Sequence, residues 1–303
     1  VAAPVTALFA PNYASATPYL TPAEYLAEPT GVDVSQLLPQ VTSLAAQTAA
    51  LVRQIQRASS WADQYVRKIL AATSDVQAGE YRIFRDGTIR VPVDNTPLIQ
   101  VTDVALGQVA GQLTSLSDLS GCWVGRKVVR IPAAAAAMPY RPPDFMSTAR
   151  AGWMFAKVTY VNGWAHAQTA AGSAAGARVQ QVTGTGLGIV PGLVLTVYDG
   201  TANGANTEQV AVASTYQFGS PFVPLTAPMV NGHAAGCSVS ALPPFVRQAV
   251  ISMTSFLIKT RGSDSFVIPE GPGPVEHEVP MMAGASEDVD LAMELLEPLR
   301  RVW

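Results

Sequence analysis

The chain has 303 residues, of which 49% are apolar and 14% charged, and its formal net charge is −3. That length holds more than one compact core, and a chain so rich in apolar residues is not disordered as a whole. A mildly negative balance without any basic run excludes tight electrostatic capture of nucleic acid, and no apolar run approaches the roughly 18 residues of a membrane-spanning helix.

Residues 1–20, rich in Ala, Pro and Thr without a period, read as an extended arm that orders only against something else. The arm lacks a basic start and a long apolar stretch, so no targeting signal is visible and a soluble protein is expected. TPAEYLAEPTGVD (21–33) predicts a short helix, with Thr21 as cap, Pro22 at the first position, Glu24 in a near-capping arrangement, and Pro29 and Gly31 as the stop. Residues 36–72 then predict one long helix. Val41, Leu44, Thr48, Leu51, Ile55, Ala58, Ala62, Tyr65 and Ile69 recur in steps of three and four, no Pro follows Pro39 until Pro92, and Asp33 and Ser35 offer caps. At 1.5 Å per residue this helix is roughly 50 Å long, which requires packing along other helices or along copies of itself. Val52, Trp61, Val66 and Leu70 lie off its main seam and offer a second apolar face.

Beyond residue 80 the period changes to two. YRIFRDGTIRVPV (81–93) predicts a strand, an Asp86-Gly87 turn and a second strand; 98–107 and 122–132 continue the alternation, and the alanine run after Pro132 marks a loop or short helix. Residues 152–164 predict a strand ending at Asn162-Gly163, and 192–200 with 208–214 predict a pair joined across TANGAN. Helical spacing returns at 241–262, where Phe245, Val246, Ala249, Val250, Met253, Phe256 and Leu257 form a broad apolar stripe behind Pro243 and Pro244. After the Pro- and Gly-broken stretch 265–284, residues 286–303 predict a last helix, capped by Ser286, acidic at its start and basic at its end as the helix dipole favours.

The fold class expected is α+β: a helical bundle of the long helix 36–72 and the C-terminal helices, with an inserted all-β domain. Wide apolar faces at both ends of the chain most simply pack on one another. The boundaries are then an extended arm over 1–20, a helical core from 21–79 with 241–303, and a β domain over 80–240.

No pattern in the sequence needs catalysis. Gly184, Gly186 and Gly188 lie in a β region without the following helix of a dinucleotide site, and read as turns. His166, His233 and His277 are scattered; Glu276-His277-Glu278 alternates along a loop and offers at most a weak cation site. HExxH, CxxC, aspartate-rich calcium loops and GxSxG are absent, and Asp288, Asp290, Glu294 and Glu297 fit a helix with an acidic start. Cys122 and Cys237 are buried free thiols or one incidental bridge. No enzyme activity, catalytic residue, cofactor or metal is expected. Trp61, Trp123, Trp153 and Trp164 fall on separate elements and read as core or subunit-contact residues, whereas Trp303, behind Leu299, Arg300, Arg301 and Val302, either anchors in a partner's groove or folds back on its own helix. A surface this short of charge suits a protein covered by other subunits, and equally a charge-poor secreted one.

YLTPAEYLAEPTGVDVSQL ahead of RASSWADQYVRKIL, then LPPFVRQAVISMTSFLIKTRG, and finally DVDLAMELLEPLRRVW together resemble the head-to-tail connector (adaptor) family of long-tailed bacteriophages. The likeness spans residues 19–75 and 242–303 and lies in helix-packing patterns, not catalytic signatures. It implies a structural protein of the virion neck, assembled in the host cytoplasm as a homo-oligomeric, commonly dodecameric, ring. Such a ring sits under the portal protein, with a stopper or tail protein below, DNA passing through without specific binding, and no membrane. Family members often dock on the portal through the C-terminal segment, matched here by Leu296, Pro298, Leu299, Arg300, Arg301 and Trp303. Compact members lack a β insert of this size, so it decorates the ring, binds the next neck protein or meets fibres. Two alternatives stand beside this reading: another phage neck or tail protein, such as a stopper, tail terminator or baseplate element, and a secreted carbohydrate-binding or hydrolytic β protein with helical ends.

Overall fold

A computed structural model describes residues 17–34, 37, 43–133, 152–260 and 285–300. Helix α1 (Pro22–Ala27) starts as its sequence dictates. The Thr21 hydroxyl accepts the Glu24 N–H at 3.3 Å, and the Glu24 carboxylate accepts the Thr21 N–H at 2.6 Å, a reciprocal capping box.

Helix α2 spans Leu44–Val66, shorter at both ends than the expected 36–72: Leu37 lies in a bend and Ser43 is the extended N-cap residue. It stops without Pro or Gly. Arg67 adopts a left-handed φ of 60°, and the N–H groups that follow find tertiary acceptors: Leu70 donates to Asp63 Oδ1 at 2.9 Å and to the Tyr19 hydroxyl at 3.1 Å, and Ala71 donates to the same hydroxyl. Tyr19 gives its own proton to Asp63 at 2.5 Å. Asp33 lies in irregular chain and the N-cap position of α2 is Ser43; Ser35 and Val41 fall outside the described residues. Along the seam Leu51, Ile55, Ala58 and Ala62 are buried, but Leu44 is 81% exposed. Val66 and Leu70, expected on a spare face, are instead fully buried in the same core, and only Val52 remains exposed there with Trp61 half-buried.

Strands β1 (Thr73–Arg82), β2 (Thr88–Pro92), β3 (Leu98–Val109), β4 (Gln112–Ser115), β5 (Trp123–Val124), β6 (Val128–Pro132) and β7 (Trp153–Asn162) build two antiparallel sheets, ordered β1-β7-β3-β4 and β2-β6-β5. The Asp86-Gly87 turn forms, with Phe84 donating to Thr88 O and Ile83 bridging Ile89. Beyond it the strands part. β1 pairs along its whole length with β7, from Thr73 opposite Asn162 to Arg82 opposite Trp153, while β2 pairs with β6. Inward-facing Ile89, Val91, Val104, Leu106, Ile131 and Val158 fill one core between the sheets.

Six short strands follow: β8 (His166–Gln168), β9 (Val179–Gln181), β10 (Val194–Tyr198), β11 (Glu208–Ala211), β12 (Phe222–Pro224) and β13 (Ser238–Ser240). They form a β11-β10-β13-β8 sheet and a β12-β9 pair around a second core of Ile189, Leu195, Val197, Val212, Val223 and Val239. β10 and β11 pair across TANGAN as expected. At the junction with the helices, Ala72 donates to Trp164 O and Trp164 donates to Leu70 O.

Helix α3 (Pro244–Lys259) carries the apolar stripe, and α4 (Ala285–Leu296) ends in a 3-10 turn, Glu297–Leu299. A third core draws on both ends of the chain, joining Tyr19, Tyr25, Ile55, Val250, Phe256, Ala292 and Leu296. The fold is mixed α+β with antiparallel sheets.

Candidate functional site

The residues expected to meet a partner gather where α4 ends. Leu296 is fully buried in the third core, Leu299 is half-buried against it, and Pro298 and Arg300 are exposed. Arg301 and Trp303 lie outside the described residues. The turn is fixed to α2 by a small polar cluster. The Tyr65 hydroxyl donates to Glu297 Oε2 at 2.6 Å, Arg300 Nη1 lies 3.5 Å from the same oxygen, and the Arg300 guanidinium sits 5.3 Å from the Tyr65 ring centre. Donation to Glu297, together with partial burial, raises the Tyr65 pKa above that of an ordinary phenol. Trp61 stacks on Tyr65 at 5.4 Å and so backs the ring that meets Glu297 and Arg300.

Pro298, Leu299 and Arg300 line an open cleft of about 860 Å³ together with Val93, Asp94, Thr96, Pro97 and Leu98 from the first β unit. Lys68, Arg126, Lys127 and Arg300 bring cations to this lining against the single carboxylate of Asp94. Lys68 Nζ donates to Thr96 O at 3.0 Å and lies 5.4 Å from the Trp164 ring centre, a cation–π contact across the cleft lining. Such a lining, cationic with proline, leucine and tryptophan surfaces, suits an acidic segment carrying an apolar residue. The family resemblance is what singles out Pro298, Leu299 and Arg300. Lys68, Arg126 and Lys127 had no such signal, because they meet only when α2 and the β2-β6-β5 sheet are brought together.

His233 is enclosed in the second β unit. Its Nδ1 lies 3.2 Å from Asp199 Oδ2 and its Nε2 lies 2.7 Å from Glu208 Oε1. Burial raises the Asp199 pKa, but hydrogen bonds from Thr201 and His233 outweigh it; at Glu208 the N–H groups of Val230 and Asn231 and the His233 ring do the same, and both carboxyls end below their ordinary values. Both ring nitrogens are engaged. The arrangement ties β10 and β11 to the loop before β13 and presents no free nitrogen to a substrate.

His166 Nε2 donates to Pro18 O at 2.9 Å, its Nδ1 accepts the Ser240 hydroxyl at 3.1 Å, and its ring meets Tyr19 edge-on at 5.5 Å. Burial among these groups lowers its pKa to about 4. Glu276, His277 and Glu278 lie outside the described residues. Gly184, Gly186 and Gly188 take left-handed φ angles in turns of the second β unit. Cys122 and Cys237 are free thiols whose pKa values burial raises. Among the described residues no three His, Cys, Asp or Glu side chains are grouped to hold a metal, and no helix is long and apolar enough to cross a membrane.

No family model matches the chain, and no curated protein matches it. A chain in a solved structure described as "Neck of empty GTA particle computed with C6 symmetry" is similar at 15% identity, with 94% of each chain covered and a TM-score of 0.35.

Proposed function

We propose that this chain is a structural protein of a tailed-phage-like neck, one subunit of a head-to-tail adaptor ring that joins a portal to a stopper or tail protein around passing DNA. One observation carries the reading. The segments that resemble the connector family lie far apart in sequence, yet Tyr19, Ile55, Val250 and Leu296 pack into one core. A helical body drawn from both ends of the chain is what that resemblance implies, and the β units are what this chain adds to it.

In this reading Leu296 positions the docking segment from within, and the portal meets Pro298, Leu299 and Arg300, continuing through Arg301 and Trp303. The cationic cleft beside them takes an acidic segment of the portal. The protein acts by shape and assembly without a chemical step, and its net charge of −3 lets DNA pass without being held.

The test is to mix the purified chain with the portal of the same particle and follow mass and negative-stain images. An adaptor forms a ring alone or on the portal, and a variant truncated before Leu299 keeps its circular dichroism spectrum but no longer attaches. A small monomer or dimer that ignores the portal overturns the reading.

A further inference from the structure

In β2 the alternation buries Ile89 and Val91, and in β6 it buries Val129 and Ile131, so Arg90 and Arg130 share the opposite face of the β2-β6-β5 sheet. The register places them directly across from one another. Like charges in that position cost stability. Arg90 has a partial answer, since its Nη2 lies 3.1 Å from Asp86 Oδ2, but Asp86 also accepts the Thr88 N–H and hydroxyl. Arg130 makes no ion pair among the described residues.

Aromatic rings hold both guanidiniums. Arg90 lies 4.2 Å over Phe84, and Arg130 lies 4.8 Å over Trp123, its register partner on β5. Trp123 is 56% exposed and Phe84 39%. Arginines pre-oriented on exposed aromatic rings are the composition of an interface centre, and a carboxylate pair would neutralise what the sheet leaves unneutralised.

The chain also presents the complement. On α4, Glu287, Asp290, Leu291 and Glu294 are all exposed and follow one another at helical spacing, so they share one stripe. Among the described residues these three acids make no ion pair, whereas Asp288, off the stripe, is taken by Lys259 at 2.7 Å. Asp290 and Glu294, four positions apart on a helix, have Cβ atoms about 5–6 Å apart, close to the about 5 Å between cross-strand neighbours such as Arg90 and Arg130. Leu291, 42% exposed, follows Asp290 at the edge of the same stripe, where an exposed indole beside the arginines can cover it.

We propose that the outer face of the β2-β6-β5 sheet binds the α4 stripe of a second copy of this chain, with Asp290 and Glu294 meeting Arg90 and Arg130 and Leu291 meeting Trp123. The two surfaces are different patches, so the contact is head-to-tail and closes into a ring when its rotation allows. The inference rests on the proposed function only in requiring self-assembly.

Charge reversal tests it by mass photometry and sedimentation of the full chain, with thermal melting as the control for folding. R90E/R130E and D290R/E294R are each expected to weaken assembly at least tenfold, and the four changes together to restore it. R130Q serves as a milder variant with an intermediate loss. Unchanged assembly in either pair, loss in both without restoration, or a wild-type chain that stays monomeric overturns the inference. So does an R90E/R130E variant that assembles normally but loses binding to a labelled single-stranded oligonucleotide, which would make the platform a nucleic-acid site. Portal attachment is read separately: variants that assemble and attach like wild type sink this contact and leave the adaptor reading standing.

Discussion

Arg247 of α3 and Glu24 of α1 face each other at 3.6 Å where the helical core meets the second β unit, both almost shut off from solvent. Glu24 Oε2 closes the α1 capping box and accepts the Ser238 hydroxyl at 3.2 Å, while Oε1 has no hydrogen bond. Arg247 donates to Tyr19 O at 3.2 Å, and its guanidinium lies 3.3 Å over the Tyr198 ring of β10. One buried guanidinium therefore connects α3, α1, the chain ahead of α1 and the second sheet.

Removing Arg247 should leave a buried carboxylate without its counter-charge. Burial already raises the Glu24 pKa, and Arg247 pulls it only part of the way back. Arg247→Ala is expected to cost about 3–5 kcal/mol, the usual penalty for breaking a buried pair. The double variant E24Q/R247A should lose less, because no charge is stranded. Urea unfolding midpoints decide this, and equal losses in the single and double variants would count against a buried charge as the cause.

His166 should make the protein sensitive to mild acid. Its folded pKa is lowered to about 4 from the ordinary 6.5 of a histidine, so as pH falls the unfolded chain takes up a proton that the folded chain refuses. The stability from this site is fully present above the unfolded value and is lost as pH falls from there toward about 4. A difference of that size corresponds to about 3 kcal/mol at 1.36 kcal/mol per unit. His166→Gln should flatten that slope. Chemical unfolding at a series of pH values shows it, and an unchanged slope in the variant would assign the sensitivity elsewhere.

Asp199 and Glu208 act lower on the scale. Both are lowered in the fold, so their contribution is present above the unfolded carboxylate range and disappears as pH falls through the folded values. Replacing His233 with Leu removes a donor from each and should shift loss of the second β unit upward in pH. Amide exchange of Val210 and Val239 as a function of pH reports it.

Much of the fold was legible where neighbours in sequence decide it. The Thr21–Glu24 box and the Asp86-Gly87 turn rest on contacts within a few residues, the β10–β11 pair joins strands adjacent in the chain, and the α3 stripe shows in the spacing of one continuous helix. The end of α2 was not, because its stop is made by Tyr19 and Asp63 acting on Leu70 and Ala71 and not by a breaker. The separation of β1 from β2 was hidden too, since β1's partner β7 lies some seventy residues away. Strands β8, β9, β12 and β13 have three residues each, too few for alternation to register. The cleft follows the same division: Pro298, Leu299 and Arg300 are consecutive in the chain, whereas Lys68, Arg126 and Lys127 come from separate elements.

Leu296 and Arg300 are four residues apart and should fail in different ways. Leu296 is fully buried, so Leu296→Ala removes core packing and is expected to cost about 2–5 kcal/mol, with portal attachment lost only as far as the fold is lost. Arg300 is exposed, and its contacts with Glu297 and the Tyr65 ring are surface interactions worth about 1 kcal/mol or less. Arg300→Glu should therefore leave the melting temperature nearly unchanged while placing a like charge beside Glu297 and reducing the cationic lining of the cleft. If the cleft receives an acidic segment, attachment falls in this variant and falls less steeply with added salt than in wild type. Binding to immobilised portal at two salt concentrations, measured beside thermal melts, separates the effects; an Arg300→Glu variant that binds as wild type does would remove the cleft from the docking surface.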